Sequence, residues 1–173
     1  VHKGKTIFVA DTSVHEYPSS EEMSEIAISA ARVVRLFGFD PKVAFVSHST
    51  FGQPVTSRTK HIRKAVDILK EKNVDFEFDG DMQPDVALNK DYKDLYPFSK
   101  IVGNANILIM PGQHSAAISY KMMKELGDTK VIGPLLIGLG LPIEIAPLRT
   151  STSELINLAS IAAYSADVID YKK

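Results

Sequence analysis

Residues 19–46 read SSEEMSEIAISAARVVRLFGFDPKVAFV, and this stretch decides the fold class. Met23, Ile26, Ala27, Ala30, Val34 and Phe37 recur at i, i+3, i+4, i+7, i+11 and i+14, the apolar stripe of one helix. Ser19 with Glu22 forms a capping box ahead of it, and Gly38 stands where the chain must leave it. Residues 42–46 then give a nearly continuous apolar run, as expected of a strand covered on both faces. A helix feeding such a strand predicts parallel βαβ architecture.

The same alternation runs along the chain. Apolar runs at 6–10, 74–78, 107–110, 135–139 and 143–146 are expected as strands. Three more helices are expected. One carries Ile62, Ala65, Val66 and Leu69. The next carries Ile118, Met122 and Leu126 and stops at Gly127. The last carries Leu155, Leu158, Ala159, Ala162, Ala163 and Ala166 behind a Ser151–Glu154 capping box. Residues 79–100, with Pro84 and Pro97, are the least regular part and are expected to hold short helices. The prediction is an α/β fold: a three-layer α/β/α sandwich on a largely parallel mixed sheet.

Composition narrows the function classes. The chain has 173 residues, 45% hydrophobic and 24% charged, which fits an ordinary globular domain and excludes a disordered or fibrous one. A formal net charge of −1 advertises neither a nucleic-acid nor a membrane surface. The absence of cysteine removes disulfides, thiolate nucleophiles and thiolate metal ligands. A cytoplasmic location is the expectation, and residue 1 being Val suggests a piece of a longer polypeptide.

Few local motifs point to chemistry. The five histidines show no paired ligand spacing, so no metal site is expected. Gly4-Lys5-Thr6 precedes a strand instead of following one, and Gly138-Leu139-Gly140 lacks the third glycine of a dinucleotide fingerprint. The best local candidate is the turn Ser47-His48-Ser49-Thr50-Phe51-Gly52, between a strand's carboxyl end and a helix expected near Thr56 or Ser57. Hydroxyls there, with Arg58 and Lys60 nearby, suit an anionic ligand. Ordinary turn and cap bonding explains the same hydroxyls, and on residue chemistry alone it is the simpler account. Asp79, Asp81 and Asp85 are read as turn and helix-start residues.

Several stretches, taken in order, resemble one family. Residues 11–32 (DTSVHEYPSSEEMSEIAISAAR), 41–52 (PKVAFVSHSTFG), 79–88 (DGDMQPDVAL), 103–121 and 133–142 (GPLLIGLGLP) resemble the second half of phosphate acetyltransferases. They resemble still more the phosphotransacetylase-like C-terminal domain of bacterial NADP-dependent hybrid malic enzymes, through S-H-S-x-F-G, D-G-x-M-Q and M-P-G-x-H-S-A.

The resemblance implies an isocitrate/isopropylmalate dehydrogenase-like sandwich. Residues 1–150 would be the second lobe, and 151–173 a helix and tail returning toward a first lobe outside this chain. It implies a regulatory and oligomerisation domain that senses acetyl-CoA or a related acyl-CoA. The attached malic-enzyme region would oxidatively decarboxylate malate to pyruvate with NAD(P) and Mg or Mn. The alternative it implies is an active acetyltransferase lobe that joins CoA thioesters and acetyl phosphate.

Ligand contacts are expected at Ser47, His48, Ser49, Thr50, Gly52, Lys121, Arg149 and Glu154, with no catalytic residue. The family's D-L-S-R-G segment falls on Ala146-Pro147-Leu148-Arg149-Thr150, which leaves only Arg149, one place late. Glu154 takes the place of the family's catalytic aspartate, and a helix arginine becomes Glu125 with Lys124 adjacent. Reversing a charge at an anion site removes transition-state stabilisation, so little or no acetyl transfer is expected.

Overall fold

The computed structural model describes residues 1, 4–127 and 129–168. The elements run β1 (Phe8–Ala10), α1 (Ser20–Leu36), β2 (Lys42–Val46), α2 (Ser57–Glu71), β3 (Glu77–Met82), α3 (Pro84–Leu88), a 3-10 helix (Lys90–Leu95), β4 (Ile107–Ile109), α4 (Gln113–Leu126) and α5 (Thr152–Val168). Four strands form one sheet in the order β1-β4-β2-β3, and every pairing is parallel. β4 arrives last and slots between β1 and β2, so the strand order changes direction there.

Alternation along β2 builds two cores. Val43 and Phe45 join Ile107 and Ile109 on one face, against Met23, Ala27 and Val34 of α1 and Ile62, Ala65 and Leu69 of α2. Ala44 and Val46 join Leu108 and Met110 on the other, against Ala87 of α3 and Ala116 of α4. The expected α/β/α sandwich is therefore present. Each large side chain so buried contributes about 1.5–3 kcal/mol.

The capping boxes also form. Glu22 N–H donates to Ser19 Oγ at 3.1 Å and the Ser19 N–H to Glu22 Oε2 at 2.7 Å, so α1 starts where expected. The short helices expected within 79–100 are α3 and the 3-10 turn.

Four expectations are corrected. β3 lies at 77–82 rather than 74–78, so Asp79-Gly80-Asp81 is strand and not turn. The carboxylates enter the sheet because each finds donors: Asp79 accepts from the Gly80 N–H at 2.9 Å and the Lys100 N–H at 2.7 Å. Residues 135–139 and 143–146 pair with no strand among the described residues, and Ile143 and Ile145 stay exposed. Apolar runs become strands only where a neighbour completes their hydrogen bonds.

The stripe Ile118, Met122 and Leu126 faces outward, since α4 meets the sheet through Ala116. On α5 it is Leu158 that is buried, whereas Leu155 is 47% exposed. That helix is only weakly amphipathic, with small Ala and Ser residues on several sides, so periodicity could not choose its inner face. Of the proposed 151–173 segment, residues 169–173 lie outside the described residues. α5 touches α1 where the Tyr164 hydroxyl donates to the Leu36 carbonyl at 3.0 Å.

Candidate functional site

The sheet aims the carboxyl ends of all four strands at one edge, where ligands of open α/β sheets bind. At the end of β1, Asp11 accepts N–H bonds from Ser13, Val14 and His15 at 2.8, 3.0 and 2.9 Å, and from His15 Nδ1 at 2.7 Å. Burial works to push the Asp11 carboxyl up, but these bonds together outweigh it and hold it below the ordinary aspartate range.

At the end of β2 lies the loop expected to bind an anion. Ser47, Ser49, Thr50 and Gly52 are buried, while His48 is exposed. Ser49 has no solvent exposure, and its hydroxyl donates to Asp81 Oδ2 in a very short bond. Thr50 Oγ1 accepts from the Gln83 N–H at 3.2 Å. Ser47 Oγ lies 3.3 Å from Ser49 Oγ and 3.5 Å from His48 Nδ1. Arg58 stands 5.7 Å over the Tyr17 ring, a cation–π contact.

Asp81 organises this loop, and the sequence reading missed that role. It is fully buried and also accepts from the Gly52 N–H at 3.3 Å and from Arg63 Nε at 3.2 Å. Gly52, at φ +80, leaves room for the guanidinium: a Cβ there would meet Arg63 at 2.7 Å. An acidic residue among buried strand positions was a signal in the sequence. Its basic partner, eighteen positions earlier on a helix, was not.

A second cluster holds the remaining expected residues. Arg149, Thr150 and Glu154 line a cavity of about 110 Å³ with Lys124 and Asn157. Glu154 Oε2 accepts from the Ser151 N–H at 2.7 Å and Ser151 Oγ at 2.8 Å, and Oε1 accepts from Lys124 Nζ at 3.1 Å. The Ser151 backbone N–H, then its hydroxyl, then Lys124 hold the Glu154 carboxyl down at about 2. None of Ser47, His48, Ser49, Thr50 and Gly52 lines this cavity, nor does Lys121, whose ammonium lies 5.9 Å from the Tyr120 ring centre. The structure thus groups the expected residues into a loop cluster and a cavity cluster, with Lys121 apart on α4. Among the described residues, no three His, Cys, Asp or Glu side chains are placed to hold a metal ion, and no helix is long and apolar enough to cross a membrane.

Comparisons with known proteins agree with this architecture. The chain is 50% identical over 164 residues to an NADP-dependent malic enzyme of Rhizobium meliloti, covering 95% of this chain and 22% of that protein. It is 34% identical to a phosphate acetyltransferase of Bacillus subtilis, covering 91% of this chain and 49% of that one. A phosphotransacetylase from Streptococcus pyogenes superposes with a TM-score of 0.89 at 32% identity, covering 95% of this chain and 50% of that one. The EutD phosphotransacetylase from Staphylococcus aureus gives a TM-score of 0.87 at 27% identity, covering 96% and 52%. The chain therefore spans about half the length of the transferases, and about a fifth of the malic enzyme. With the phosphate acetyl/butaryl transferase profile matched across residues 1–163, the chain belongs to that family.

Proposed function

We propose that this chain is the regulatory and assembly domain of a malic enzyme, responding to acetyl-CoA or a related acyl-CoA and performing no acetyl transfer itself. One observation carries the reading: the carboxylate standing where the family's catalytic aspartate falls is used as a helix cap. Both oxygens of Glu154 are engaged by Ser151 and Lys124, and its carboxyl is held at about 2. General-base catalysis near neutrality is served best by a group titrating near the operating pH, and a carboxyl held so low is a weak proton acceptor.

Binding in this reading uses exposed charge. Arg149 and Lys121 offer cations to phosphate groups, with His48 and the Ser47 and Thr50 hydroxyls at the sheet edge. Oxidative decarboxylation of malate to pyruvate, with NAD(P) and Mg or Mn, belongs to the attached malic-enzyme region, in a cytoplasmic enzyme. Assembly uses the outward apolar side chains of α4 and α5, among them Ile118, Met122, Leu126 and Leu155.

The deciding experiment follows malate-dependent NADP reduction in the full-length protein, with and without residues 1–173, while acetyl-CoA is varied. The reading expects acetyl-CoA to change the rate only when residues 1–173 are present, and expects no acetyl phosphate from acetyl-CoA and phosphate. A response that survives the deletion, or steady acetyl phosphate formation, overturns it.

A further inference from the structure

We propose that Asp81, pinned by Arg63, is the positioning residue of the 47–53 loop, and that Ser49 serves this internal bond rather than a ligand. The proposal rests on the reading of that loop as part of an acyl-CoA-responsive site. It concerns how the loop is held.

A carboxylate with no solvent exposure in a sheet is costly unless fully bonded. Asp81 meets that demand with three donors drawn from two elements: Ser49 and the Gly52 N–H from the loop, Arg63 from α2. Its carbonyl oxygen accepts a fourth bond, from the Phe51 N–H at 2.6 Å. One strand residue therefore ties loop positions 49, 51 and 52 at once.

The loop conformation needs such a tie. Phe51 takes φ +49, a left-handed conformation that an aromatic residue adopts only when its surroundings over-determine it. Gly52 follows at φ +80 and lacks the Cβ that would collide with the guanidinium. Arg63 itself is about half exposed, so nothing in core packing requires it; its fixed feature is the Nε bond to Asp81. Held this way, the loop directs Ser49 inward, anchors Thr50 to the start of α3 through Gln83, and leaves the His48 side chain outward.

The test uses the protein carrying residues 1–173 in Arg63→Ala, Arg63→Lys and Ser49→Ala forms. Amide hydrogen exchange reports the loop directly, and calorimetric titration with acetyl-CoA reports binding. In Arg63→Ala, exchange at Phe51 and Gly52 is expected to rise about tenfold or more relative to the β2 amides, with acetyl-CoA weakened about tenfold. Arg63→Lys should restore part of both effects. Ser49→Ala should move exchange and binding together, since its hydroxyl acts through Asp81.

Unchanged exchange in Arg63→Ala overturns the proposal. So does loosened exchange with unaltered binding, or a Ser49→Ala that loses binding while loop exchange stays intact. If the unmodified protein takes up no acetyl-CoA, the functional reading fails separately, and the exchange data alone decide whether Asp81 and Arg63 position the loop. Should Arg63→Ala fail to fold, Arg63→Met keeps the aliphatic stem, removes the Nε donor to Asp81 and is read the same way.

Discussion

Glu154 and Asp81 are both carboxylates with every near partner accounted for, yet one was legible in the sequence and the other was not. Ser151 and Glu154 stand three apart ahead of an apolar run, and local spacing suffices to form their capping box. The folded carboxyl, held at about 2 against an ordinary 4.5 by Ser151 and then Lys124, gives that cap a definite pH signature. A carboxyl lowered in the folded state stabilises fully above its unfolded value and loses that contribution as pH falls toward the folded value. The advantage of the native protein over Glu154→Gln is therefore expected to be greatest above 4.5 and to fade from there toward about 2. Thermal melting across that range checks it, and a pH-independent difference refutes the cap. Asp81 has no such local partner. Its bonds to Ser49 and Arg63 span 32 and 18 positions and exist only once β2, β3 and α2 have packed.

Among the elements, α1, α2 and β2 were readable because each sees a different environment on its two sides. Met23, Ala27 and Val34 mark one side of α1, and Ile62, Ala65 and Leu69 one side of α2; all are buried. β3 was displaced because its apolar signal, Val74 and Phe76, packs beside the core without joining the ladder. The strand proper runs through Gly80, at φ +156, where a Cβ would lie 2.7 Å from Phe45 Cβ and 2.8 Å from its carbonyl oxygen. Gly80→Ala is accordingly expected to lower stability by at least about 2 kcal/mol through overpacking and backbone strain. Urea denaturation measures it, and a change within the noise of surface substitutions would mean that β2 and β3 separate without cost.

For the whole molecule, the sandwich closes its two cores yet leaves apolar side chains outside. Leu126 is 82% exposed, Met122 54% and Ile118 59%, all on the outer side of α4. Surface of this kind marks association when it is contiguous. Light scattering at several concentrations is expected to show a dimer or larger species, and Met122→Glu with Leu126→Glu to shift it toward the monomer. A monomer at every concentration would leave these residues as uncommitted surface.

Local patterns along the chain were enough for the layer architecture, the helix starts and the family resemblance. Those depend on periodicity, on caps three residues apart and on ordered motifs, all of which are local. Long-range packing chose which runs became strands, since the apolar runs at 135–139 and 143–146 pair with no strand among the described residues, whereas β4 lies between β1 and β2. It decided the inner faces of α4 and α5, where apolar residues on several sides leave the pattern without a preferred direction. It also turned Ser49 inward and joined Asp81 to Arg63, because burying a carboxylate requires donors that only distant segments, brought together by the sheet, provide.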